Sequence, residues 1–172
     1  MPPQALFGIS VAFGFIAWGI VAAQYLWPEL REQPRLQALR PLLVLHSFRF
    51  IGLAFLVPGV VSPDLPAAFA RPAAYGDLVA AVLALLALAA LQSRLGMALV
   101  WVFNLWGSAD LLYAFYQGNL TGVGPAPGLL GAAYFIPTLV VPLLLITHGL
   151  VFRLLLERDR AGMGQAGAAG KT

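Results

Sequence analysis

The sequence contains no cysteine. That excludes disulfides, thiolate metal sites and a cysteine nucleophile, and it leaves the redox compartment unread. Charge is scarce: 10% of the residues are charged, against roughly 25% in a soluble domain. The motifs of soluble enzymes are missing as well. There is no nucleophile elbow, phosphate-binding loop or HExxH pair, and no dinucleotide fingerprint set between a strand and a helix. No internal repeat is visible, and an odd number of apolar runs does not divide into two equal halves. Lysine occurs once, at Lys171, beside nine arginines.

What fills the chain instead is apolar. Hydrophobic residues make up 60% of the 172 positions, more than a chain of this size can hide from water, so lipid must cover part of the surface. The length suits one bundle over residues 1–160, with no second folded domain. In such a chain a net charge of +3 reflects membrane orientation and contact with anionic headgroups, not a nucleic-acid partner. The arginine excess, with dominant alanine and leucine, associates the sequence with GC-rich bacterial genomes.

Five apolar runs, about 5–27, 39–61, 72–92, 96–117 and 129–157, each approach the ~20 residues that a roughly 30 Å hydrocarbon core demands. The fold class is therefore all-α, a polytopic bundle of five transmembrane helices. The first run ends at Tyr25, Trp27 and the stop signal Pro28. It reads as a span and not a signal peptide, because Met1 to Gln4 carry no basic side chain and the run exceeds a signal core. Pro72 is suited to open the third helix, where its missing N–H costs nothing. That helix is rich in alanine, and small residues allow close backbone approach inside a bundle; ordinary alanine bias is the competing explanation. Pro137 and Pro142 interrupt the fifth run, and the Gly/Ala-rich segment 161–172 reads as a disordered cytoplasmic tail.

Orientation follows from the basic residues between spans. Arg31, Arg35, Arg40, Arg94, Arg153, Arg158, Arg160 and Lys171 fall on one side, and only Arg71 on the other. The N-terminus is expected outside and the C-terminus in the cytoplasm of a bacterial inner membrane. Asn119-Leu120-Thr121 reads as part of a loop and not as a glycan acceptor. Arg49 is the one arginine that orientation does not explain.

Ionisable groups within spans are costly and often mark function. At ~1.5 Å per residue, His46 and His148 lie roughly 7 Å from the cytoplasmic ends of their spans. Arg49 and Asn104 lie about 12 Å in, Asp110 about 20 Å and Gln24 about 4 Å. His46 and Arg49 are three apart and share a helix face, as do Asn104 and Ser108, four apart.

Three readings compete for these residues. In the first they satisfy one another: Arg49 pairs with Asp110 across a depth gap of ~9 Å, and the histidines bond to Asn104, Ser108 or backbone carbonyls. The chain is then a structural or partner subunit without assigned enzymatic activity, associating with the bilayer and with other membrane subunits or a second copy of itself. In the second, Gln24, His46, Arg49, Asn104 and His148 line a polar cavity open to the cytoplasm, where Arg49 binds an anionic solute or lipid headgroup. In the third, His46 and His148 hold one b-type haem between two helices, with Arg49 at a propionate. The glycine spacing that usually accommodates a macrocycle is not evident. No resident cofactor or metal is expected on the first two readings. Asp110 would suit a proton-coupled carrier if it stood alone; pairing with Arg49 makes it structural and is the preferred reading. Ser47 next to His46 is not a catalytic pair, because adjacent helical residues do not share a face.

Overall fold

A computed structural model of the chain describes residues 1–157. The expected tail 161–172, with Arg158, Arg160 and Lys171, lies outside the described residues. Among those described there are no strands, and five helices are long and apolar enough to cross a membrane. They are α1 (Pro3–Glu32), α2 (Arg35–Leu56), α3 (Ala67–Ala89), α4 (Arg94–Leu120) and α5 (Ile136–Leu156).

The prolines act differently from the expectation. Pro28 does not stop α1, which continues to Glu32. A proline cannot donate to the carbonyl four residues back. The helix absorbs the missing bond in a π turn, Ala22–Leu26, whose last link runs from the Trp27 N–H to the carbonyl of Ala22, five residues back. The same device precedes Pro142. A π turn over Ile136–Val140 closes with Val141 N–H on the Ile136 carbonyl. In each case the residue just before the proline makes the wide bond.

Two helix starts are also corrected. The third helix begins at Ala67, with Pro66 as its N-cap, so Pro72 lies inside it and removes one backbone bond to Ala68. The fifth long apolar helix begins at Ile136 and not at residue 129. Residues Pro127–Tyr134 form a short 3₁₀ segment that docks on the loop after α2. Ala132 N–H donates to the Val60 carbonyl at 2.8 Å, and Ser62 N–H to that of Leu129 at 3.0 Å. Gly131 makes the docking possible: its φ is 51°, and a Cβ there would run into the Val60 carbonyl.

Helix α2 changes character halfway. After Ser47 it tightens into a 3₁₀ stretch, Phe48–Leu56, in which residues three apart stand in line. His46, Arg49, Gly52 and Phe55 therefore form one buried row, while Phe48, Phe50 and Ile51 face outward. This row packs against α3, which buries Ala70, Ala73, Ala74, Ala80, Ala81 and Ala84. Helices α2, α3, α4 and α5 surround a common core, and α1 leans on α5. Gly14 of α1 lies against the Thr138 carbonyl, and Trp18 Nε1 donates to the Leu139 carbonyl at 3.0 Å, inside the π turn of α5.

The core has two apolar clusters. One gathers Leu39, Leu43, Ala87, Val100, Phe103 and Val151. The other, toward the end that carries the N-terminus, gathers Phe55, Phe69, Leu111, Leu130, Ile136 and Leu144. Most of the buried polar side chains lie at the level between them.

Candidate functional site

Arg49 organises the layer. Its side chain is fully buried, and four of its N–H groups have protein partners. Nε donates to Asp77 Oδ1 at 2.7 Å, and Nη2 to Asp110 Oδ2 at 2.8 Å. Nη1 donates to the Gly107 carbonyl at 3.2 Å and meets His148 Nε2 at 3.1 Å. A guanidinium presents its donors in a rigid fork, so these contacts fix the relative positions of α2, α3, α4 and α5 together.

The depth gap between Arg49 and Asp110 disappears once the true helix bounds are used. Asp110 lies ten residues before Leu120, and Asp77 ten residues after Ala67, or ~15 Å from that end of the bundle. Arg49 lies seven residues before Leu56 along a 3₁₀ stretch, which rises ~2.0 Å per residue and gives ~14 Å. All three reach one level.

Glycines make the room. A Cβ on Gly52 would collide with the Asp77 carboxylate, and one on Gly76 with the Asp110 carboxylate. A Cβ on Gly107 would lie 2.6 Å from both Arg49 Nη1 and the His148 ring. Each charged group of the cluster is thus seated against a glycine of a neighbouring helix.

Behind Arg49 the network continues through neutral groups. His148 Nδ1 pairs with Asn104 Oδ1 at 2.7 Å, and Asn104 Nδ2 donates to the His148 carbonyl at 3.4 Å. His46 Nε2 meets Thr147 Oγ1 at 3.0 Å. His46 Nδ1 is the one buried side-chain nitrogen or oxygen among the described residues without a partner. The His46 and His148 rings lie against each other at a 45° tilt, with centroids 4.1 Å apart and Phe103 against both.

Of the sequence candidates, the structure brings His46, Arg49, Asn104, Asp110 and His148 into one cluster. Gln24 is exposed on α1 and does not join it. Ser108 turns back to its own helix, donating to the Asn104 carbonyl at 2.7 Å. Asp77, Thr147 and the three glycines were missed. The signal for Asp77 was present, since it is a carboxylate inside an apolar span.

Two chemistries fit this arrangement poorly. Imidazoles in contact with centroids 4.1 Å apart leave no gap for an iron with a macrocycle between them, and both Nε2 atoms are engaged by Thr147 and Arg49. The residues present do not fit a bis-histidine haem. An anion would find the Arg49 fork already filled by two carboxylates. Among the described residues there is also no group of three or more His, Asp or Glu side chains placed to hold a metal ion.

A cavity of about 60 Å³ reaches the cluster from the other direction. Phe7, Phe55, Phe69 and Phe115 line it, and it extends to Asp77 and Asp110. It belongs to the end of the bundle that carries the N-terminus, opposite the end with Arg31, Arg35, Arg40, Arg94 and Arg153. Among the described residues, the last four members of the expected polar cavity of Gln24, His46, Arg49, Asn104 and His148 are instead buried and packed against one another.

A family model described as a domain of unknown function, DUF8737, matches residues 6–156. No curated protein and no solved structure matches the chain.

Proposed function

The chain belongs to the DUF8737 family, and from its own site we propose a structural or partner subunit of a bacterial inner membrane. The observation that carries this reading is the occupancy of Arg49. Its donors are spent on Asp77, Asp110, Gly107 and His148, so the cluster works as a clamp that holds four helices in register. Intramembrane polar groups typically serve this purpose when they find each other. The N-terminus lies outside and the C-terminus in the cytoplasm. This orientation is supported by Arg31, Arg35, Arg40, Arg94 and Arg153 at one end of the bundle, with Arg71 at the other. At the arginine-rich end the Arg153 guanidinium stacks 3.8 Å from the Trp27 ring, which ties α1 to α5 there.

A subunit of this kind is expected to leave the membrane with company. The test is extraction of the full chain from its native membrane in mild detergent, with in-membrane crosslinking before extraction. A stoichiometric second protein or a homo-oligomer supports the reading. A monomer without a crosslinked neighbour overturns it.

A further inference from the structure

Beyond the clamp, we propose that the cavity ending on Asp77 and Asp110 is a binding site for a small organic ammonium ion. The argument begins with charge. Two carboxylates face one guanidinium, and His148 accepts from Arg49 through Nε2 and so adds no positive charge of its own. With both carboxylates ionised, the cluster carries one negative charge more than Arg49 balances. An excess of this kind in an apolar interior is relieved by a proton or by a cation, and a cation has the further attraction of acceptor oxygens that Arg49 leaves free.

The second observation is geometric. The Asp77 side chain is 7% exposed and that of Asp110 10%, yet each uses only one oxygen on Arg49. Asp77 Oδ2 and Asp110 Oδ1 have no hydrogen-bond partner among the described residues. Neither is sealed off, since His46 Nδ1 alone is both buried and unpartnered. Both residues line the same cavity, so acceptor capacity is left over at its floor.

The walls select the class of cation. A hydrated metal ion needs oxygen ligands, and the walls above the carboxylates are mainly phenylalanine, leucine, valine and alanine. Asn119 also lines the cavity, with its amide nitrogen turned to the Phe115 carbonyl at 3.0 Å. Aromatic faces attract organic cations, and an alkyl substituent replaces the water that an apolar wall cannot hold. The volume of about 60 Å³ is far below the roughly 300 Å³ at which drug-sized pockets begin. It suits an ammonium head with a short alkyl chain.

The experiment uses the full chain in lipid nanodiscs, with ethylammonium chloride as probe and sodium chloride and sodium acetate as matched controls. Ethylammonium is expected to raise the unfolding temperature saturably, and both controls to leave it unchanged. Asp110→Asn should weaken the effect about tenfold or more, the loss of one charge-assisted contact. Ala114→Leu fills the cavity from a position that is not a hydrogen-bond partner of Arg49, and should abolish binding while the protein stays folded. In the wild-type protein, nuclear Overhauser contacts from the probe's methyl group to phenylalanine ring protons are expected. An equal shift with sodium chloride or with acetate, unchanged binding in Ala114→Leu, or no binding at all overturns the proposal. The subunit reading does not depend on any of these outcomes.

Discussion

Arg49 Nη1 lies 3.1 Å from His148 Nε2, and this contact settles the form of the imidazole. A guanidinium only donates, so Nε2 must be the acceptor and carries no proton. The ring proton is then on Nδ1, where it donates to Asn104 Oδ1 at 2.7 Å. That bond orients the Asn104 amide, whose nitrogen is left to donate to the His148 carbonyl at 3.4 Å. Each assignment forces the next. The chain of bonds converts a buried arginine into a fixed orientation of two side chains on two other helices.

The first prediction concerns that tautomer. With ¹⁵N-labelled histidine, His148 should show a one-bond N–H coupling at Nδ1 and none at Nε2. Asn104→Leu removes the acceptor and should broaden or shift the Nδ1 resonance, leaving His46 nearly unchanged because its partner is Thr147. A proton found on His148 Nε2 would remove Arg49 as its donor and undo the network as described.

The sequence carried the all-α class clearly, and five helices long and apolar enough to cross a membrane occupy nearly the expected runs. What it carried poorly was the register of the helices along the bundle. Arg49 and Asp110 looked ~9 Å apart in depth because depth was counted at α-helical rise from the cytoplasmic end of a second run placed at about residue 39. The helix start at Arg35 and the steeper rise of the 3₁₀ stretch Phe48–Leu56 supply most of the difference. Such a switch leaves no mark in hydropathy. Its trace is the three-residue spacing of His46, Arg49, Gly52 and Phe55, which suits a 3₁₀ row but is also tolerated by an α-helix face. Asp77 was overlooked for another reason. It sits in a run of alanines whose evident meaning was close packing, and that packing is real. The same small residues that bring α3 close also deliver a carboxylate to Arg49. Pro28 misled in the opposite sense, as a strong stop signal that a preceding π turn neutralises.

A second prediction tests whether the glycines are seats for the charged groups or only helix contacts. Gly107→Ala places a methyl group 2.6 Å from Arg49 Nη1 and from the His148 ring. Neither can retreat, because each is bonded on its far side. The substitution should destabilise the protein by about 1–3 kcal/mol, the usual cost of overpacking. Gly149→Ala is the control, since nothing lies within 4 Å of a Cβ there. It should be neutral or stabilising by up to ~1 kcal/mol through helix propensity. Thermal unfolding of both variants in the same detergent decides the matter, and equal stability for the two would contradict the seating of Arg49 against Gly107.

The third prediction separates a clamp from a mere contact. Arg49→Ala leaves Asp77 and Asp110 facing each other's charge without a cation between them. Breaking a buried pair by removing one partner costs about 3–5 kcal/mol, and here two carboxylates are stranded. Asp110→Asn keeps an acceptor oxygen for Nη2 and leaves Asp77 to balance the guanidinium, so its effect should be much smaller. Combining the two changes should then recover part of the Arg49→Ala loss, because one stranded charge has been removed. The expected coupling between them is about 0.5–3 kcal/mol, read from unfolding of the four proteins in one detergent. Strict additivity, with the double variant as unstable as the sum of the singles, would show that Arg49 and Asp110 are neighbours and nothing more. Recovery would show that the bundle is organised around the balance of charge at Arg49, and the same cycle with Asp77→Asn should repeat it from the other helix.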